Sequence, residues 1–325
     1  MKLKKILEPV GRELKETEDV FRQLAGSELP VVRDIHEHIT SYRGKRLRPV
    51  LLLLCSGLTG GITGRSIEAA AAVELLHTTT LIHDDVVDRS DLRRGGPTVH
   101  SIWGNKAAVL TGDIFFARVL TWLVELDIPG VTSVISSAIR QVCEGELIQS
   151  GNGTGDAVIT EQEYFHTITL KTASLIAASC ELGVLTSYGN NSGERAPARR
   201  YGKHLGIAFQ IRDDLMDYNG RREKMGKPAA KDIAGSIMTL PLLYGLEYSG
   251  NGDRGTVLKM IRRGVREEDE VFIRGFAERS GGIAYAREKA EEHARTALSY
   301  LELFPDSEYK SSMSDLAEFV IERDF

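Results

Sequence analysis

The chain has 325 residues, 42% of them hydrophobic and 27% charged, enough for the buried core of one large domain or two modest ones. That excludes a disordered chain, and with three cysteines a disulfide-stapled miniprotein as well. With 41 Lys and Arg against 46 Asp and Glu the formal charge is -5, so no general basic surface invites nucleic acid or an anionic membrane, and any anionic ligand must be met by a local basic cluster.

Apolar residues recur at helical spacing from the start, at Ile6, Leu7, Val10 and Leu14, and again at Ile168, Leu175 and Ala178, while alternating strand patterns are nearly absent. The class is all-α, with about ten or more helices. Turn chemistry breaks the pattern at Gly26-Ser27, Thr59–Gly64, Gly95-Gly96-Pro97, Pro129-Gly130, Gly151–Gly155, Tyr188–Gly193, Gly226-Lys227-Pro228, Ser249–Gly255 and Gly281-Gly282. Thr160 and Glu163 have the spacing of a capping box that opens the helix carrying Lys171. Small residues at Glu68–Val73 and Thr172–Ser179 predict close helix packing. With no low-complexity linker, residues 1–325 read as a single domain. Cys55, Cys143 and Cys180 form no CxxC pair and read as reduced core thiols. The N-terminus is broken by charge too early for a signal segment, and the longest apolar stretch, Val50–Cys55, falls short of a membrane span. A soluble cytoplasmic protein without a stable membrane anchor is expected.

One pattern occurs twice: Asp84-Asp85-Val86-Val87-Asp88 and Asp213-Asp214-Leu215-Met216-Asp217, each closing an apolar helical run. The outer acids, at i and i+4, share a helix face; like charges about 5 Å apart repel by roughly 3 kcal/mol at an effective dielectric near 20. The end of a helix disfavours anions further, so a cation should compensate. Oxygen-only ligands suit magnesium, which keeps waters and is readily shared with substrate phosphates. Basic residues lie nearby in sequence. Gly44-Lys45-Arg46-Leu47-Arg48-Pro49 precedes an apolar helix, with Pro49 suited to its first position. Arg93-Arg94-Gly95-Gly96 offers two forked guanidiniums, and Lys171 and Lys227 add point charges. Acidic metal sites with basic phosphate contacts predict a magnesium-bound diphosphate substrate.

These residues resemble the trans-isoprenyl diphosphate synthases, or polyprenyl synthetases, in order as well as content: GKRLRP at 44–49, HTTTLIHDDVVDRSDLRRGGPTVH at 77–100, LKTASL at 170–175, GIAFQIRDDLMDY at 206–218, GKP at 226–228 and TLPLL at 239–243. The resemblance implies a single all-α domain of the isoprenoid synthase type, built around a deep central cavity and usually homodimeric, with the two aspartate-rich motifs facing each other across the cavity mouth. It implies metal ligation by Asp84, Asp88 and Asp213 with support from Asp85, Asp214 and Asp217. It implies an allylic diphosphate, such as farnesyl diphosphate, on Arg93, Lys171, Thr172, Gln210 and Lys227, and isopentenyl diphosphate on Lys45, Arg48, His77 and Arg94. The chemistry the resemblance implies is metal-assisted ionisation, condensation and proton loss, with Asp84, Asp88, Lys171, Thr172, Gln210 and Asp213 as its catalytic groups. Small residues at Thr79 and Thr80, about one turn before Asp84, and the uninterrupted DDVVD resemble the long-chain branch that makes quinone side chains, octaprenyl favoured; Phe115 and Phe116 are candidates for a lower floor. A short-chain synthase, a terpene cyclase and a non-catalytic subunit of a heteromeric synthase are alternatives. A further rival is a helical metal phosphohydrolase built on His83-Asp84 with His36 and His38. One departure is the absence of a basic residue at Gly235-Ser236-Ile237 before Thr239-Leu240-Pro241.

Overall fold

In a computed structural model the described residues are 2–42, 44, 46–152, 158–189, 192–218 and 238–322. They are helical almost throughout, as the 3.6-residue periodicity predicts. Lys45, Lys227 and Gly235-Ser236-Ile237 lie outside the described residues. By contacts the chain divides into two compact units: residues 1–135, 178–199 and 304–313, and residues 136–177, 200–303 and 314–325.

The first unit begins with α1 (Lys2–Ile6), α2 (Gly11–Ala25) and α3 (Pro30–Ser41). The next helix, α4 (Leu47–Leu58), is apolar all round, and Leu51–Cys55 are wholly buried, as expected of a helix with no solvent face. It begins two residues earlier than Pro49 suggested. Pro49 is tolerated there because the first-turn amides have no intrahelical partner anyway. α5 (Gly64–Val87) is opened by Thr63, which accepts from the Ser66 amide, and it packs against α2, α4 and α6 (Val99–Glu125). Its Ala69–Ala72 run is wholly buried, giving the close packing that small residues predict. α6 bends at Gly104, whose φ of 81° is open to glycine without strain. Between α5 and α6 lie the only strands among the described residues, an antiparallel pair of two-residue strands, β1 (Leu92–Arg93) and β2 (Gly96–Pro97).

The chain continues through α7 (Val131–Asn152), α8 (Glu161–Ile168), a five-residue π-helical turn (Thr169–Ala173), α9 (Ser174–Thr186) and α10 (Ser192–Met216). The predicted capping box is present: the Thr160 side chain accepts from the Glu163 amide, and Glu163 accepts from the Thr160 amide. α11 (Leu240–Tyr248), α12 (Asn251–Arg262), α13 (Glu267–Arg279), α14 (Gly282–Leu301) and α15 (Glu308–Glu322) follow. The break expected over Ser249–Gly255 is shorter than its composition suggests, because α12 already starts at Asn251. In the second unit α11 packs on α13 and α14, and Tyr164, Ile168, Ile207, Ile211 and Leu215 join its core.

Two expectations are corrected. Cys55 and Cys180 are buried, but Cys143 is exposed, on a face of α7 that it shares with the exposed Leu147. Two helical stretches, Val99–Glu125 and Glu161–Thr186, reach the length and apolarity of a membrane span once the helices are continuous; the second is a largely buried core helix.

His204 and His293 stack with their Nδ1 atoms 3.0 Å apart. One nitrogen donates and the other accepts, so the pair resists a second proton. Burial and, next, the neighbouring His204 pull His293 down to about 4, and burial lowers His204 as well. The unfolded chain binds these protons near pH 6.5 and the folded chain only lower, so their contribution is complete above 6.5 and is lost as pH falls towards 4. The urea midpoint should therefore drop over that interval, and His293→Gln should remove part of the slope.

Candidate active site

In the first unit the last turn of α5 presents Asp84 half-buried, Asp88 exposed at the helix C-cap and Asp85 buried, 5% exposed. The predicted i, i+4 pair therefore reaches solvent, while Asp85 turns inward and accepts from Arg93 Nε at 2.6 Å. The turn joining β1 to β2 has φ of 53° at Arg94 and 80° at Gly95, the double positive φ of a type I′ hairpin. This turn brings the two arginines onto one short hairpin, with Arg94 in a conformation that only glycine adopts without strain.

The basic cluster has a buried counter-ion that sequence reading missed. Glu74, 3% exposed, accepts from Arg46 Nη1 at 2.7 Å, and Glu18 accepts from Arg46 Nη2 at 3.0 Å. Arg46 also lies over the Phe21 ring at 4.9 Å. Its signal was a lone acid inside the apolar run AAAAVELL. Arg46 is thus held as scaffold, and Arg48 and Arg94 beside it are the guanidiniums available to a ligand. Burial pulls Arg48 down to about 10, with Glu74 opposing and Arg94 adding to the shift, and the Arg48 Nε is buried without a hydrogen-bond partner among the described residues. Arg94 is lowered by burial first and by Arg46 and Arg93 as well. His77 is held neutral, well below the usual imidazole range, by burial and then by Arg48, Arg94, Arg93 and Arg46. Four guanidiniums around one neutral imidazole make a site that gains from an added anion.

In the second unit the π turn carries Lys171 and Thr172. Such turns insert one extra residue and redirect side chains at functional sites. Gly145 permits its approach, since a Cβ there would lie 2.6 Å from the Lys171 amide nitrogen. Lys171 Nζ pairs with Glu146 at 2.8 Å. Thr172 Oγ1 donates to Gln210 Oε1 at 2.6 Å, Gln210 Nε2 donates to Asp214 Oδ1 at 2.7 Å, and Tyr164 Oη donates to Asp214 Oδ2 at 2.6 Å. Asp214 and Asp217 are buried, whereas Asp213 is half-buried. The six expected metal aspartates therefore divide by exposure: Asp85, Asp214 and Asp217 are buried, Asp85 and Asp214 with carboxylate oxygens on fixed hydrogen bonds, and Asp84, Asp88 and Asp213 are nearer the surface. Tyr164 and Glu146 complete this network and were not foreseen.

The donor chemistry fits a hard cation that completes its shell with water and phosphate oxygens. Among the described residues no three of His, Cys, Asp and Glu gather into a metal group by themselves. The histidines of the rival phosphohydrolase reading are dispersed. His83 bonds the Val109 carbonyl at 3.2 Å and lies against Gly112, His38 bonds the Pro97 carbonyl, and His36 contacts Phe21.

The candidates for chain length also separate. Thr79 is buried with its hydroxyl on the Leu75 carbonyl, whereas Thr80 is half-buried and falls on the helix face of Asp84 and Asp88. Phe115 is fully buried, in ordinary core packing, and Phe116 is half-buried.

The polyprenyl synthetase family profile matches residues 29–273. The chain belongs to the polyprenyl synthetase family. It is 36% identical over 297 residues to the short chain isoprenyl diphosphate synthase of Methanothermobacter thermautotrophicus, covering 89% of each chain. It is 32% identical over 325 residues to the octaprenyl diphosphate synthase of Escherichia coli, covering 100% of each. It also superposes with a TM-score of 0.92, at 32% identity and over 99% of this chain and 98% of the other, on the polyprenyl synthase of Caulobacter crescentus solved with calcium and isoprenyl diphosphate. This polyprenyl synthetase is accordingly a prenyltransferase with the all-α fold of its relatives.

Proposed function

We propose that this synthetase condenses isopentenyl diphosphate with an allylic diphosphate such as farnesyl diphosphate, giving an all-trans long-chain product, octaprenyl favoured, for quinone side chains. The observation that carries the reading is the arginine cluster around neutral His77, on the same helix as Asp84 and Asp88. Asp84, Asp88 and Asp213 would hold magnesium, which supplies positive charge to the departing diphosphate. Arg93 and Lys171 hold the allylic diphosphate, so its C–O bond ionises without an acid catalyst. Thr172, donating its proton to Gln210, keeps its oxygen lone pairs for the allylic cation. Arg48, Arg94 and His77 hold isopentenyl diphosphate while its double bond attacks; a C–C bond forms and the proton lost goes to the released diphosphate. Lys45 and Lys227 are further diphosphate contacts in this reading.

Residues 1–325 act here as one synthetase domain, a reading supported by one family profile running through parts of both units. A second copy of the chain covers α6, whose Ile102, Val109, Leu110 and Val124 are 40–63% exposed. Exposed apolar side chains gathered on one helix suit such a contact, and sedimentation should give a dimer that Leu110→Glu dissociates. Reduced Cys55 and Cys180, with burial and the adjacent Cys55 pushing the Cys180 thiol up, suit the cytoplasm. The short chain relative favours a second reading, a short-chain product such as farnesyl or geranylgeranyl diphosphate. Mass spectrometry separates the two: a ladder ending near octaprenyl supports the long-chain reading, with Thr80→Phe stopping it several units earlier. A wild-type stop at geranylgeranyl supports the short one.

A further inference from the structure

Lys171 and Thr172 are neighbours on the π turn, yet each is held by a different helix. Thr172 is tied to α10 by its hydrogen bond to Gln210 at 2.6 Å, a chain that continues through Asp214 to Tyr164. Lys171 is tied to α7, where Glu146 meets its Nζ with both carboxylate oxygens, Oε1 at 2.8 Å and Oε2 at 2.9 Å. The backbone of α7 touches the turn at the preceding residue, Gly145: a Cβ there would lie 2.6 Å from the Lys171 amide nitrogen and 2.9 Å from its Cα. Close packing therefore fixes the main chain of Lys171, and Glu146 fixes its ammonium.

The second of these matters because of what a lysine is. Its four-carbon stem is flexible, and it loses more rotamer freedom on being fixed than most side chains. With the ammonium unheld, that ordering would fall on the binding of a diphosphate; with Glu146 in place it has already occurred. The carboxylate oxygens engage at most two of the three ammonium N–H groups, and the Lys171 side chain is 30% exposed, so a donor remains for phosphate oxygens. Glu146 also repels an incoming anion. Ordering outweighs that repulsion because a diphosphate arrives with divalent cations that offset its charge.

We propose that Glu146 is a positioning residue for the allylic diphosphate, holding the Lys171 ammonium in the direction from which it meets the phosphate oxygens. The proposal rests on the reading of Lys171 as an allylic diphosphate contact. Thr172 keeps its own anchor on α10, and isopentenyl diphosphate is assigned to other residues, so the two substrates should respond differently. Glu146→Ala should raise the KM for the allylic diphosphate about tenfold, the scale of ordering one long side chain, and leave the KM for isopentenyl diphosphate within about twofold. In Glu146→Gln the amide oxygen can accept from the same ammonium, and most of the affinity should return. Since Glu146 acts through Lys171, Glu146→Ala should change the allylic KM of a Lys171→Ala enzyme by less than about twofold.

The experiment is steady-state kinetics against each substrate, with thermal melts, for Glu146→Ala, Glu146→Gln, Lys171→Ala and the double variant Glu146→Ala with Lys171→Ala. A rise confined to the allylic KM, reversed in Glu146→Gln and absent once Lys171 is alanine, supports the proposal. A lower allylic KM in Glu146→Ala overturns it, because the carboxylate would then compete for Lys171 instead of aiming it. Equal rises in both KM values with a lowered melt, or a full rise on the Lys171→Ala background, overturn it in favour of a structural role. An unchanged allylic KM in Glu146→Ala while Lys171→Ala raises it overturns it as well. An unchanged allylic KM in Lys171→Ala overturns instead the reading of Lys171 on which it rests.

Discussion

Asp84→Ala should lose about 10³-fold in kcat, on the order of 4 kcal/mol of barrier, and should melt no lower than the parent. Asp84 stands in the last turn of α5, one helical turn from Asp88. A carboxylate there opposes the helix dipole and repels its neighbour, and in the proposed reaction it supplies a ligand for the cation that would neutralise the leaving diphosphate. Asp85→Asn should behave differently, because that carboxylate is buried and bonded to Arg93 at 2.6 Å; its effect should fall mainly on the allylic KM. Kinetics and calorimetric melts of the two variants check the contrast. An Asp84→Ala enzyme with parental activity would support the non-catalytic subunit reading.

Glu74→Leu should destabilise by about 3 kcal/mol and lower the melting temperature by roughly 6–12 °C. The Arg46 and Glu74 side chains are 13% and 4% exposed, and removing one partner of a buried pair leaves an uncompensated charge. Glu18 remains bonded to Arg46, which holds the loss near the lower end of the range for such pairs. Glu74 also attracts Arg48 and Arg94, so Glu74→Gln, which keeps the shape without the charge, should change isopentenyl diphosphate binding more than it changes the melt. Differential scanning calorimetry with isopentenyl KM measurements reads both effects; a Glu74→Leu melt within 2 °C of the parent, on the same scale, would refute the counter-ion role.

What the sequence made legible is local or periodic. The i, i+4 spacing of Asp84 and Asp88, the Thr160–Glu163 box and breaks such as Pro129-Gly130 depend on residues a few positions apart, and these are present among the described residues. Missed features join residues distant in sequence: Arg46 with Glu74 across 28 positions, Lys171 with Glu146 across 25, Tyr164 with Asp214 across 50. No periodicity encodes such pairs, and a lone acid in an apolar helix signals a partner without naming it. The π turn at Thr169–Ala173 was hidden because one inserted residue barely disturbs a 3.6-residue pattern. Asp85 and Asp214 look like Asp84 and Asp213 in the motif, yet are buried more deeply, since adjacent helix positions face about 100° apart.

The most direct measurement of the central claim uses purified enzyme with magnesium, farnesyl diphosphate and labelled isopentenyl diphosphate, and follows label into solvent-extractable polyprenyl diphosphate. The account predicts metal-dependent incorporation that disappears when magnesium is chelated and returns when it is restored. Label remaining in isopentenyl diphosphate, or appearing as a hydrolysed five-carbon alcohol, would contradict it.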